Sequence, residues 1–116
     1  MNSKHSDQFI HEDSIVWENL EEGIRRKILS YESGIMMAKI AFDAGAIGTA
    51  HSHPHIQCSY VLQGEFRVTI DGRTDTLKTG DSFLVPSGKT HGAVAVTDGV
   101  LIDVFTPMRE DFLDAG

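Results

Sequence analysis

Apolar residues fall in short alternating runs cut by glycine-containing turns, the punctuation of a sandwich or barrel. Residues 24–31 (IRRKILSY) and 34–42 (GIMMAKIAF) flank a short Glu-Ser-Gly turn. Residues 56–64 (IQCSYVLQG) run into 65–70 (EFRVTI). Asp71-Gly72 then reads as a two-residue type I′ hairpin, because both central positions of that turn need positive φ. Residues 73–79 form the returning strand. Residues 81–86 follow Gly80, and 90–96 follow a loop with Pro86 and Gly88 at the second and fourth positions of a type I turn. Residues 97–99 turn into a last strand over 100–105 (VLIDVF). Only 16–23 (VWENLEEG) and 108–113 (MREDFL) read as helical. The pattern predicts an all-β fold of about eight to ten strands.

Length adds a bound. With 116 residues, 41% of them hydrophobic, the chain is one domain with a modest core. A polar arm over 1–14 precedes a single barrel domain over 15–116, and His5 and His11 in that arm read as solvated. The net charge of −7 repels phosphate backbones, which argues against nucleic acid. It leaves room for a small anionic ligand beside a local cation. Cys58 is the only cysteine, so no intrachain disulfide can form. No signal-peptide pattern and no apolar run near the ~18 residues of a membrane span is present, and the chain reads as cytoplasmic.

The chemistry concentrates in residues 51–57, HSHPHIQ. On a regular strand residues 51, 53, 55 and 57 share one face, so His51 and His53 can converge, with Gln57 joining beyond an irregularity at Pro54. A His-x-His pair alone is also common on a solvated strand edge. The wider spacing is Gly45-x5-His51-x-His53-x3-Gln57-x6-Gly64, followed by Gly80-x5-Pro86-x-Gly88-x2-His91. This resembles the two-motif signature of the cupin superfamily. The resemblance implies a double-stranded β-helix (jelly-roll) barrel and a divalent metal (nickel, zinc, iron or manganese) held by His51, His53, Gln57 and His91.

Two departures stand out: Gln57 replaces the family's usual glutamate, and Ala95 its usual asparagine. Neutral ligands leave the full charge of the ion uncompensated, giving a stronger Lewis acid that attracts anions but a weaker hold on the metal. The alternatives are a degenerate pocket without metal and a purely hydrogen-bonding role for Gln57. His55 fits no slot and is expected at the pocket mouth or in solvent. Cys58, opposite in parity to Gln57, is expected as a small core residue.

A second stretch, DVFTPMREDF over 103–112, puts Asp103 and Phe105 on one strand face and Arg109 beyond Pro107. An acid, a ring and a guanidinium at one barrel mouth suit an acidic sugar. The plainer expectation is that Arg109 pairs with Glu110, Asp111 or Asp114, and that Phe105 and Phe112 are core. Together HSHPHIQ and DVFTPMREDF resemble the KdgF-type cupins, also called pectin-degradation proteins. That resemblance implies an enzyme converting unsaturated uronic acids into open-chain keto forms, with Asp103, Phe105 and Arg109 beside the metal. It also implies a homodimer, as small cupins commonly pair. Rival readings are an Fe(II) dioxygenase on the same barrel and a non-catalytic binder of sugars or organic acids. Whether His55, Tyr60 and Arg67 line the pocket turns on strand register.

Overall fold

The computed structural model describes residues 4–113. Ten strands alternate along the chain: β1 (Glu18–Asn19), β2 (Ile24–Glu32), β3 (Ile35–Phe42), β4 (Ile47–His51), β5 (Ile56–Gln63), β6 (Glu65–Ile70), β7 (Arg73–Lys78), β8 (Ser82–Val85), β9 (His91–Ala95) and β10 (Gly99–Thr106). They form two antiparallel sheets, ordered β1-β2-β3-β10-β5-β8 and β4-β9-β6-β7. The fold is the all-β jelly roll expected. Among the described residues no helix is long and apolar enough to cross a membrane.

Each sheet turns one face inward, and alternate residues of the longer strands meet in a shared core. Met36, Val61, Phe66 and Val85 are wholly buried there, and Phe42 meets Phe66 edge to face at 5.1 Å. The chain changes sheet between β5 and β6 at Gly64. Its φ is 91°, and a Cβ there would run into the Asp98 carbonyl. Asp71 and Gly72 (φ 50° and 83°) form the type I′ turn, with Ile70 paired to Arg73.

Four expectations are corrected. Residues 16–23 are not helical: β1 pairs Glu18 with Arg26, and the chain turns back at Gly23, whose φ is 77°. Cross-strand pairing satisfies the backbone there, where a one- or two-turn helix has too few bonds to hold. The helix expected over 108–113 shrinks to one turn, α1 (Glu110–Leu113). Around Pro86, the Lys89 amide bonds the Pro86 carbonyl at 3.2 Å and Gly88 has φ 79°. Positive φ at the third position makes this a type II turn beginning at Pro86, not type I.

The fourth correction concerns Cys58, which is exposed. Parity holds, since Gln57, Ser59 and Val61 face in and Cys58 and Tyr60 face out, but the outer face of β5 is left uncovered. That face is apolar: Ile35, Met37, Ile56, Tyr60, Leu62 and Leu84 are all well exposed on β3, β5 and β8.

The N-terminal segment makes specific contacts. Ser6 and Tyr31 exchange hydrogen bonds, and the Glu12 carboxylate accepts from Lys39 (2.8 Å) and Lys27 (3.3 Å) on the outer side of β2 and β3.

Candidate metal centre

The stretch 51–57 is not one strand. His51 ends β4 in one sheet, Gln57 lies near the start of β5 in the other, and His53 sits in the loop that crosses between them. Sheet pairing brings His91 of β9 opposite His51. The three histidines therefore converge from three backbone segments, their ligand nitrogens all within 4.8 Å of one another.

Each ring is steadied by a carbonyl two residues away. His51 Nδ1 faces Thr49 O at 2.9 Å, His53 Nδ1 faces His55 O at 3.0 Å, and His91 Nδ1 faces Lys89 O at 3.0 Å. A ring nitrogen against a carbonyl must carry the proton, which leaves the Nε2 lone pairs free. His91 Nε2 is buried without any hydrogen-bond partner. His53 Nε2 lies 3.0 Å from Gln57 Oε1, so two acceptors face each other. Two ligands at right angles on one ion, each 2.0–2.1 Å from it, stand about 3 Å apart. Burial lowers the pKa of both His53 and His91, favouring the neutral form a ligand needs. Orphaned lone pairs, neutral rings and an amide oxygen fit a divalent cation.

A polar chain runs from this centre across the sheet. Because β5 and β10 pair Ser59 with Asp103 and Gln57 with Phe105, these side chains share the inner face. Gln57 Nε2 donates to Ser59 Oγ at 2.9 Å, and Ser59 Oγ donates to Asp103 Oδ1 at 2.6 Å. Burial of the Asp103 carboxyl pushes its pKa up to about 6, against the opposing pull of Ser59 and Arg109.

Arg109 takes the plainer partner while lining the cavity. Its Nε and Nη2 bond Asp111 at 3.1 and 2.8 Å, yet its side chain is only 11% exposed and its guanidinium lies 4.2 Å from the Phe112 ring centre. Asp114, the other acid considered, lies outside the described residues. Phe105 is core and lining together: it is buried, packs on His53 and borders the cavity. His55 is half-buried with Nδ1 unpartnered, its ring 5.6 Å from that of His53. It stands outside the three-histidine group. Tyr60 and Arg67 are exposed.

The cavity measures about 370 Å³, at the small end for small-molecule sites. It is lined by His51, Gln57, His91, Asp103, Arg109 and, from β2, Arg26. Ser59 and Arg26 were not anticipated. Ser59 was findable as the next inward position after Gln57. Arg26 was findable as the middle of three consecutive cations on a strand, where one parity must face in.

A family model for the cupin domain matches residues 38–105. The chain is 44% identical over 108 residues to the pectin degradation protein KdgF of Dickeya dadantii, covering 91% of this chain and 98% of that one. The chain belongs to the cupin family, as a KdgF-like member. Solved structures agree with this. The cupin aligns with an RmlC-like cupin from Shewanella frigidimarina at TM-score 0.91 and 45% identity, covering 94% and 98% of the two chains. It aligns with KdgF from a Halomonas species at TM-score 0.88 and 39% identity, covering 92% and 99%. A more distant cupin from Thermotoga maritima, described as a predicted oxalate decarboxylase, matches at TM-score 0.77 and 18% identity, covering 87% and 100%, and shares the fold alone.

Proposed function

We propose that this cupin serves pectin breakdown by converting unsaturated uronates into open-chain keto acids, with a divalent metal held by His51, His53, Gln57 and His91. One observation carries the reading: Asp103, a buried carboxyl with its pKa raised to about 6, borders the same small cavity as the histidine cluster and is wired to Gln57 through Ser59. The strong identity to a pectin degradation protein supports the substrate class.

When bound, the ion supplies Lewis-acid polarisation to a substrate oxygen. Asp103, whose pKa of about 6 keeps a protonated fraction available as neutrality is approached, gives its proton to C4 of the C4–C5 double bond. Water adds at C5 and returns a proton to the carboxylate. The C5 hydroxyl proton then passes to the ring oxygen as the C5–ring oxygen bond breaks, leaving a ketone at C5 and an open chain. Arg109 lends positive charge to the anionic substrate, and Phe105 gives the sugar a flat surface to rest on. The apolar outer face of β3, β5 and β8 supports pairing of two copies.

The test is metal-loaded protein added to the unsaturated monouronate released by a pectate lyase. Loss of the ultraviolet absorbance of the double bond, well above the spontaneous rate and dependent on metal, is the expected result. No acceleration would overturn the reading. Oxygen uptake would then favour the dioxygenase, and binding without turnover the sugar-binding module.

A further inference from the structure

Residues 25–27 are three consecutive cations on β2, and their side chains part ways. Arg25 pairs with exposed Asp43, and Lys27 reaches Glu12 on the outer side. Arg26 turns inward and is only 7% exposed. Its guanidinium carbon lies 3.7 Å from the centre of the Phe112 ring. The Arg109 guanidinium lies 4.2 Å from the centre of that ring, so one phenylalanine carries two cations beside the cavity.

The two differ in which edge is free. Arg109 spends its Nε and Nη2 on the Asp111 carboxylate, a closed two-point fork. Arg26 donates only Nε, to Glu18 Oε1 at 2.7 Å, across the β1–β2 pair. Among the described residues its Nη1 and Nη2 make no hydrogen bond, and neither is sealed off in the core. The end of this guanidinium is thus a two-donor fork on a side chain that lines the cavity, with Nε tied and its carbon 3.7 Å from a ring centre. That is the geometry for a carboxylate.

Building on the uronate reading, we propose that Arg26 is the residue that grips the substrate's carboxylate, with Phe112 as its platform and Glu18 fixing its orientation. Arg109, already paired, contributes charge and rests against both Phe105 and Phe112. Lysine cannot replace Arg26, because a point cation offers no fork.

The test compares unsaturated galacturonate with its methyl ester, which lacks the charge, in the wild type, Arg26→Lys, Arg26→Gln and Arg109→Lys. The wild type should prefer the acid. Arg26→Lys should raise KM for the acid about tenfold with little change in kcat, and Arg26→Gln should abolish the preference. Arg109→Lys should lose rate yet keep the preference. Thermal melts identify a variant that fails to fold; Phe112→Leu, which removes the platform, then serves instead, with a smaller rise in KM. An intact preference in folded Arg26 variants, or its loss in Arg109→Lys, overturns the proposal.

Calorimetry of galacturonate and its methyl ester with metal-free protein separates this from the reaction itself. Acid-selective binding lost in Arg26→Gln supports the clamp even if no uronate turns over, in which case only the reaction assignment fails. No acid-selective binding by the wild type overturns the clamp even if turnover is seen.

Discussion

On one side of the cavity each imidazole bonds a carbonyl two residues along its own chain, at Thr49, His55 and Lys89. On the other side nothing is local. Asp103 comes from β10, Arg26 from β2 and Phe112 from a single helical turn, and they meet only through tertiary packing. A one-turn helix has no stability of its own. The contacts of Phe112 with Arg26 and Arg109 seat it, with Phe112 also meeting Phe105 edge to face at 5.5 Å. The histidine rings are therefore set by short backbone segments, while the arginine wall depends on the whole barrel.

Attacks on each wall should separate along this line. The largest effect is expected from Asp103→Asn, which removes the proton carrier and should cost 10²–10⁴ in rate, read as loss of double-bond absorbance. His91→Ala should match it by a different route, lowering metal affinity by at least about 100-fold in a metal-content assay while circular dichroism stays unchanged. An active His91→Ala free of metal would break the comparison.

Asp103→Asn should also make metal-free protein more stable at neutral pH. Burial raises the folded-state pKa from 3.8 to about 6, so the wild type keeps its full stability only below the unfolded value and loses it as pH rises to about 6. The variant's advantage should grow over that window and level off above it at about 3 kcal/mol, measured by denaturant melts. His53 and His91 act in the opposite sense. Their lowered pKa values give stability that is full above 6.5 and falls as they protonate below it, equally in both proteins.

Gln57→Glu sharpens the histidine wall alone. A carboxylate cancels one unit of the ion's charge, so metal should bind tighter while the rate falls by about tenfold, seen by titration with a competing chelator alongside kinetics. Asp111→Asn is the mildest change. Its carboxylate is largely exposed, and losing such a pair should cost less than about 1 kcal/mol in melts. A larger loss would mean that Arg109 needs Asp111 to hold the aromatic pair.

The same contrast explains what the sequence disclosed. The grouping of the histidines and Gln57 was legible through the cupin resemblance of the two motifs, whose glycines and Pro86 mark where the chain bends. Their layout still defeated simple alternation, since the chain crosses from one sheet to the other between His51 and Gln57. Asp103 and Phe105 were legible by parity on β10. Arg26 was legible only as an inward position, because nothing near it in the chain says that a ring close to the C-terminus will lie 3.7 Å from its guanidinium carbon. The false helix at 16–23 has the same origin: Glu18 looks like a helix-surface residue until Arg26 appears beside it. Cys58 failed for a subtler reason, as alternation assigns faces but not what lies against them.

The bonds that hold the three imidazoles bear, finally, on speed. Because each ring is already turned by its own neighbourhood, an ion bound as proposed would wait for no imidazole to be reoriented. The pace of capture then belongs to the ion, to how quickly it sheds its own water. In a mixture of metals the first occupant is decided by that race, and the most tightly held ion takes over only as fast as the first one leaves.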